Sequence, residues 1–169
     1  MIERKSHGSG AFTPGQFARF GSGTVLEPGV LVFHPENIQI GNSVYIGHNT
    51  IIKGYYRNTM SIGDGTRVGP QCFFHSAGGL SIGCNVTIAP GVYIITSRHA
   101  EEGIDVPILY SRIEEAPVII EDDAELEVGS IILPGVTVGR GARVQAGSVV
   151  SRNVEPHTIV SGVPAKLLY

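Results

Sequence analysis

Tryptophan is absent from this 169-residue chain, and cysteine occurs only twice. Two thiols, Cys72 and Cys84, make no disulfide framework, and their spacing is not that of a CxxC motif. No histidine stands at zinc-finger distance from them, so they read as small free thiols. Charge is sparse as well: charged residues make up 16% of the chain and the formal net charge is -3. An acidic balance, with no basic stripe carrying interleaved aromatics, argues against general nucleic-acid binding. No apolar run reaches the roughly 20 residues that a membrane-spanning helix needs. No amphipathic basic helix suits a membrane surface. Met1 to Gly10 is polar and lacks the apolar core of a secretory leader. The expectation is one soluble, cytoplasmic domain with no membrane insertion and no nucleic-acid partner.

Glycine, by contrast, is plentiful, at 23 residues, and it falls within a six-residue period. An aliphatic residue or Phe opens each hexapeptide, Gly or a small or acidic residue often follows, and Val, Thr, Ser, Ala or Cys takes the fifth position. Ile40-Gly-Asn-Ser-Val-Tyr followed by Ile46-Gly-His-Asn-Thr-Ile is representative, and so is Ile82-Gly-Cys-Asn-Val-Thr followed by Ile88-Ala-Pro-Gly-Val-Tyr. The opening residues form six groups of three, each group 18 residues long, from Phe20, Leu26 and Val32 to Val138, Val144 and Val150. Three short strands joined by three turns make one triangular coil. Strand alternation turns the opening residue inward with the small fifth residue beside it. Stacking then buries a column that no single coil could bury alone. A sandwich of short strands is also punctuated by turns, but it gives no reason for so many aliphatic sites in register. The predicted fold is an all-β parallel β-helix of about six triangular coils over residues 20–155. A partly disordered lead occupies residues 1–19, an inserted loop residues 100–119, and a short tail residues 156–169. Handedness does not follow from the period; general crossover sterics favour right-handed connections.

Three stretches carry a family likeness. They are "IGCNVTIAPGVYIITSRH" from Ile82 to His99, "PVIIEDD" from Pro117, and "ILPGVTVGRGARVQAGSVVSRNVEPHTIVSGVPAKLL" from Ile132. With the closing Gly162-Val-Pro-Ala-Lys166, they make the chain resemble the left-handed β-helix hexapeptide-repeat acyltransferases, more narrowly the maltose, galactoside and polysaccharide-sugar O-acetyltransferases. The resemblance covers about residues 20–169. It implies left-handed coils, a homotrimer with sites between subunits, acetyl-CoA as cosubstrate along the later coils, no metal, and a catalytic base at His99. The chemistry agrees. Acyl transfer from a thioester needs a base for the proton of the attacking hydroxyl or amine, and an imidazole titrates in the useful range. Backbone N–H groups at a nearby turn would stabilise the oxyanion, and no covalent enzyme intermediate is required.

His99 competes with five other histidines. His7 lies in the lead, His34 and His48 at turn positions on different sides of the prism, and His157 in the tail; each is readily a surface or packing residue. His99 stands where the large insertion leaves the scaffold, and function concentrates at such loops. His75 falls on the same prism side one coil earlier, where the family often carries an acidic residue touching the acceptor. It either orients substrate, pairs with His99, or is an ordinary edge residue. Gln71 matches a family Asn near the acceptor, and Tyr110, in the insertion, is a third candidate for substrate binding. Some trimeric β-helices are zinc carbonic anhydrases, but that site needs three converging histidines, and only His75 and His99 share a side here.

The family's coenzyme A channel maps onto small residues of the late coils, Gly129, Ala146, Gly147 and Ser148. Arg143, Arg152 and Lys166 are candidate phosphate contacts; no carboxylate interrupts the sequence from Arg140 to Val154. One departure stands out. Where relatives often read DNVWIGxG, this chain has Asp123-Ala-Glu-Leu-Glu-Val-Gly129, with Glu125 in place of the aromatic and Glu127 in place of a Gly. The leading expectation is an acetyl-CoA-dependent O-acetyltransferase acting on a sugar hydroxyl, free or in a surface-polysaccharide precursor. Two alternatives stand beside it: N-acetylation of an amino sugar, and a non-catalytic β-helix scaffold.

Overall fold

The computed structural model describes residues 5–168. Its strands are two to four residues long and form three parallel sheets, one per side of a prism. The first side stacks Arg19–Phe20, Ile38–Ile40, Met60–Ile62, Leu80–Ile82, Val118–Ile120 and Thr137–Val138. The second runs from Val25–Leu26 through Tyr45–Ile46, Arg67–Val68, Thr87–Ile88 and Glu125–Leu126 to Arg143–Val144. The third stacks Leu31–Phe33, Ile51–Lys53, Phe73–His75, Tyr93–Ile94, Ile131–Ile132 and Val149–Val150. Register is strict: Ile40 pairs with Ile62, Ile62 with Ile82, Ile82 with Ile120, and Ile120 with Val138. The opening residues of the hexapeptides are thus the core, and from Ile40 to Val150 none is more than 2% exposed.

The small fifth residues have a second use. Thr66 is fully buried; its hydroxyl donates to the Gly83 carbonyl at 2.8 Å and accepts from the Val86 amide at 3.1 Å. Thr50 repeats the arrangement one corner on, with Gly69 and Cys72. A buried hydroxyl so placed ties its coil to the next and has both its donor and its acceptor capacity used. Glycine is required at the corner after Ile62 because a Cβ on Gly63 would lie 2.5 Å from the Gly83 carbonyl carbon.

Both ends depart from the expected boundaries. From Gly10 onward the lead packs on the first coil: the Gly10 carbonyl accepts from Val32, and buried Phe17 meets Phe12 and Phe20 edge-on or tilted. Met1 to Arg4 lie outside the described residues. At the other end Ile159–Gly162 continues the second sheet in parallel beyond residue 155, and Ala165–Leu167 folds back on it antiparallel. The insertion is also not a plain loop over residues 100–119. It is a hairpin of Ser97–His99 against Ile113–Glu115, and the prism resumes at Val118–Ile120. Its root is closed by the Ala116 amide donating to the Thr96 carbonyl at 3.0 Å.

One side of the prism is apolar outside as well as inside. Next to the buried column of the third sheet, a second column of Leu31, Ile51, Phe73, Tyr93, Ile131 and Val149 stands in register. Alternation points these residues outward, and Tyr93 is 47% exposed. The matching outer column of the second sheet contains Arg67, Thr87, Glu125 and Arg143.

Candidate active site

In the hairpin Ser97 faces Glu115 and His99 faces Ile113, so these four side chains share one face. Arg98 and Glu114 occupy the other and pair at 3.1 Å. His99 is exposed at the edge of a hollow of about 730 Å³ whose walls include Glu101, Ile104, Val106 and Ile108. Its Nδ1 lies 3.3 Å from Ser111 Oγ, and that hydroxyl donates to the Ile108 carbonyl at 2.7 Å. With the hydroxyl proton committed, Ser111 can only accept from the ring. Nδ1 therefore carries the hydrogen, and the neutral imidazole keeps its lone pair on Nε2. That nitrogen has no partner among the described residues, so it is the group able to take a proton.

His75 is set in the same tautomer but closed off. Thr96 Oγ1 donates to the His75 carbonyl at 2.9 Å and accepts from His75 Nδ1 at 3.1 Å and the Gly78 amide at 3.0 Å. Nε2 accepts from the Tyr55 hydroxyl at 2.9 Å. Burial, and secondarily the nearby Lys53 ammonium, hold this imidazole below its ordinary pKa. His75 is thus a neutral, saturated bridge between Tyr55 and Thr96. It does not hydrogen-bond to His99; its link to that residue is through Thr96, from which the hairpin springs.

The other expected site residues fall in separate places. Tyr110 is exposed on the hairpin's outer turn, 64% accessible, with no direct contact to His75. Gln71 sits at the opposite edge of the third sheet, in a left-handed backbone conformation at φ 60°. Gly129 and Gly147 stack on that same edge, and added Cβ atoms there would meet nothing within 4 Å. Ala146 and Ser148 flank Gly147; the buried Ser148 hydroxyl accepts from the Gly162 amide at 3.2 Å. Beneath them, Ser130 Oγ is buried with no partner among the described residues.

The basic stretch is less free than its sequence suggests. Arg143 Nε pairs with Glu125 at 2.6 Å and approaches Glu127 at 3.9 Å. Arg140 pairs with Asp122 at 2.7 Å and Asp123 at 3.4 Å. The Cys84 amide, together with Arg140, holds the Asp122 carboxyl below the usual range. Arg143 is therefore a neutralised cation, whereas Arg152 and Lys166 have no ion pair among the described residues. Glu127 also accepts from the Ala146 amide at 3.1 Å, which places its carboxylate at the small-residue corner.

Sequence reasoning missed Ser111, Thr96 and Tyr55. Thr96 is legible as the Thr three residues before His99, but Ser111 lies 12 residues away across the hairpin and nothing local marks it. Among the described residues no three His, Cys, Asp or Glu side chains gather as a metal site, and no helix is long and apolar enough to cross a membrane.

Two segments match hexapeptide models: residues 117–152 match "Bacterial transferase hexapeptide (six repeats)" and residues 60–95 match "Hexapeptide repeat of succinyl-transferase". Over these two segments the chain carries the hexapeptide repeats found in bacterial transferases. It is 28% identical over 158 residues to galactoside O-acetyltransferase of Escherichia coli, covering 90% of this chain and 63% of that protein. Among solved structures, an N-acyltransferase from Bacillus cereus in complex with dTDP and coenzyme A superposes with a TM-score of 0.81 at 22% identity, covering 90% and 83% of the two chains. A maltose O-acetyltransferase from Clostridium difficile superposes with a TM-score of 0.62 at 24% identity, covering 91% and 70%. Both are the same stacked-coil β-helix. The chain spans 45% to 63% of the length of the first curated relatives it matches.

Proposed function

We propose that this protein is an acetyl-CoA-dependent O-acetyltransferase acting on a sugar hydroxyl, free or in a surface-polysaccharide precursor, with His99 as general base. The observation that carries the reading is the His99 Nε2 without a partner among the described residues, while Nδ1 lies 3.3 Å from a Ser111 hydroxyl that itself donates to the Ile108 carbonyl. In the reaction Nε2 accepts the proton of the acceptor hydroxyl as its oxygen attacks the thioester carbonyl. The tetrahedral oxyanion collapses, the C–S bond breaks, and the imidazolium returns the proton to the departing thiolate. Transfer is direct, within a complex of both substrates. Family resemblance supports this assignment, as does a site on a hairpin held to rigid coils, where positioning is effective.

The donor is assigned to the edge of Gly129, Ala146, Gly147 and Ser148, where the missing side chains let a thin pantetheine arm approach backbone. Arg152 and Lys166 are the cations available to its phosphates. A homotrimer is part of the proposal: the outward apolar column from Leu31 to Val149 suits burial against another copy, and that arrangement would bring the Gln71 and Gly147 edge of one protomer near the hairpin of the next. The enzyme would work in the cytoplasm, where acetyl-CoA is available. The test is thiol release from acetyl-CoA with a panel of neutral sugars and amino sugars. Wild type should turn over at least one hydroxyl acceptor. Turnover only with amines would replace O- by N-acetylation, and absence of coenzyme A binding would favour a scaffold.

A further inference from the structure

A second hollow, of about 460 Å³, lies between the coils and the His99 face of the hairpin. Its coil side is Tyr55, Arg57 and Ala77, and its hairpin side is Ser97, Ile113 and Glu115. Ser97, Ile113 and Glu115 are the three residues that share a hairpin face with His99. We propose that this hollow holds the acceptor, and that it selects a sugar carrying an anionic group, bound by Arg57, over a neutral one. The proposal rests on the acetyltransferase reading for the reaction, but its binding claim stands apart from turnover.

The walls are polarised. On the coil side stands the Arg57 guanidinium, 5.3 Å over the Tyr56 ring. On the hairpin side stands Glu115. Neither Arg57 nor Glu115 has an ion-pair partner among the described residues, although both line the same space, whereas Glu102 and Glu114 of the hairpin are paired with Arg112 and Arg98. An arginine and a glutamate left apart across a hollow of sugar size fit a ligand that joins them. Its anionic substituent would take the guanidinium fork, and a hydroxyl at its other end would donate to Glu115.

The coil wall is also fixed. Asn37 donates to the Tyr55 carbonyl at 2.9 Å, and Asn58 donates to the Ala77 carbonyl, which pins the short loop that carries Arg57 on both sides. His75 holds the Tyr55 hydroxyl as a donor, so its oxygen offers only lone pairs to the hollow. Ile113 supplies an apolar surface for a sugar ring. A ligand lying there would place its ring beside the imidazole that Ile113 faces across the hairpin.

The test uses the full chain and three probes: glucuronate, glucose 6-phosphate and methyl glucoside. Binding is followed by ligand-observed NMR or calorimetry in wild type, Arg57→Gln and Arg57→Lys. At least one anionic probe should bind wild type about tenfold to a hundredfold tighter than the neutral one, the range of a charged hydrogen bond. The carboxylate and phosphate arms then say which anion fits. Arg57→Gln should erase the difference and Arg57→Lys should keep part of it, with the thermal midpoint of both close to wild type. Equal binding of all three probes, or a preference that survives Arg57→Gln, overturns the proposal. His99→Ala separates the two readings: persistence of anion binding with loss of acetyl transfer upholds both, while persistence of transfer sinks only the role of His99.

Discussion

Ser130 apart, the prism and the hairpin treat their polar groups in opposite ways. In the coils a buried hydroxyl such as Thr66 is met twice by the neighbouring coil, and His75 has both ring nitrogens engaged. In the hairpin His99 has one nitrogen engaged and one open, and Glu115 and Tyr110 are exposed. Saturation suits stacking, because each coil is the template for the next. Incompleteness suits chemistry, because a group with spare hydrogen-bonding capacity can take a proton or a ligand. If that division is right, substitutions in the hairpin should alter activity with little change in stability, and substitutions in the prism the reverse.

The largest effect should come from His99→Ala. Loss of a general base costs about 10²–10⁴-fold in rate, and thiol release should fall by that much while the melting curve stays in place. A melting shift of the size seen for a core mutant would break the comparison. Phe74→Ala is the counterpart. Phe74 is fully buried in the third coil, among the largest side chains in the core, and truncation should cost about 3–5 kcal/mol by denaturant unfolding. Thr66→Val keeps the volume but leaves the Val86 amide and the Gly83 carbonyl unmet, which should cost about 1–3 kcal/mol. Stability equal to wild type there would mean that stacking, rather than the hydroxyl ladder, holds adjacent coils. Ser111→Ala tests the tautomer directly. Without the hydroxyl the imidazole is free to carry its hydrogen on either nitrogen, and kcat should fall about two- to tenfold with KM for both substrates unchanged.

How much of this was legible in the sequence follows the same division. The column from Ile40 to Val138 was readable because the period of six forces it. The hairpin was readable only as an interruption, and its roots at Thr96 and Ala116 were not, since antiparallel pairing over 16 residues has no repeating signal. Arg143 is the instructive case. Its own stretch is free of acids, so a linear reading leaves it open to a phosphate. In a β-helix, however, the true neighbour is one coil away: Glu125 is 143 − 125 = 18 residues earlier, and Asp122 is 140 − 122 = 18 before Arg140. Charge has to be counted down the stack as well as along the chain. The Glu125 and Glu127 that depart from the family pattern are, in space, the partners of Arg143.

The smallest effect concerns His75 and separates its role from that of a base. Its folded-state pKa lies below the ordinary 6.5 because burial and Lys53 oppose the charged form. Above that value the ring is neutral whether folded or unfolded and adds no pH dependence. As pH falls through it the unfolded chain takes up a proton that the folded site refuses, so stability is lost from that point until the folded pKa is reached. Wild type should therefore lose more of its unfolding midpoint between pH 7.5 and 5 than His75→Gln does, even though the variant, missing its bonds to Tyr55 and Thr96, starts lower at pH 7.5. Parallel profiles would mean that His75 accepts its proton inside the fold. The prism would then hold a second titratable group with spare capacity, and the line drawn between the saturated coils and the open hairpin would not survive.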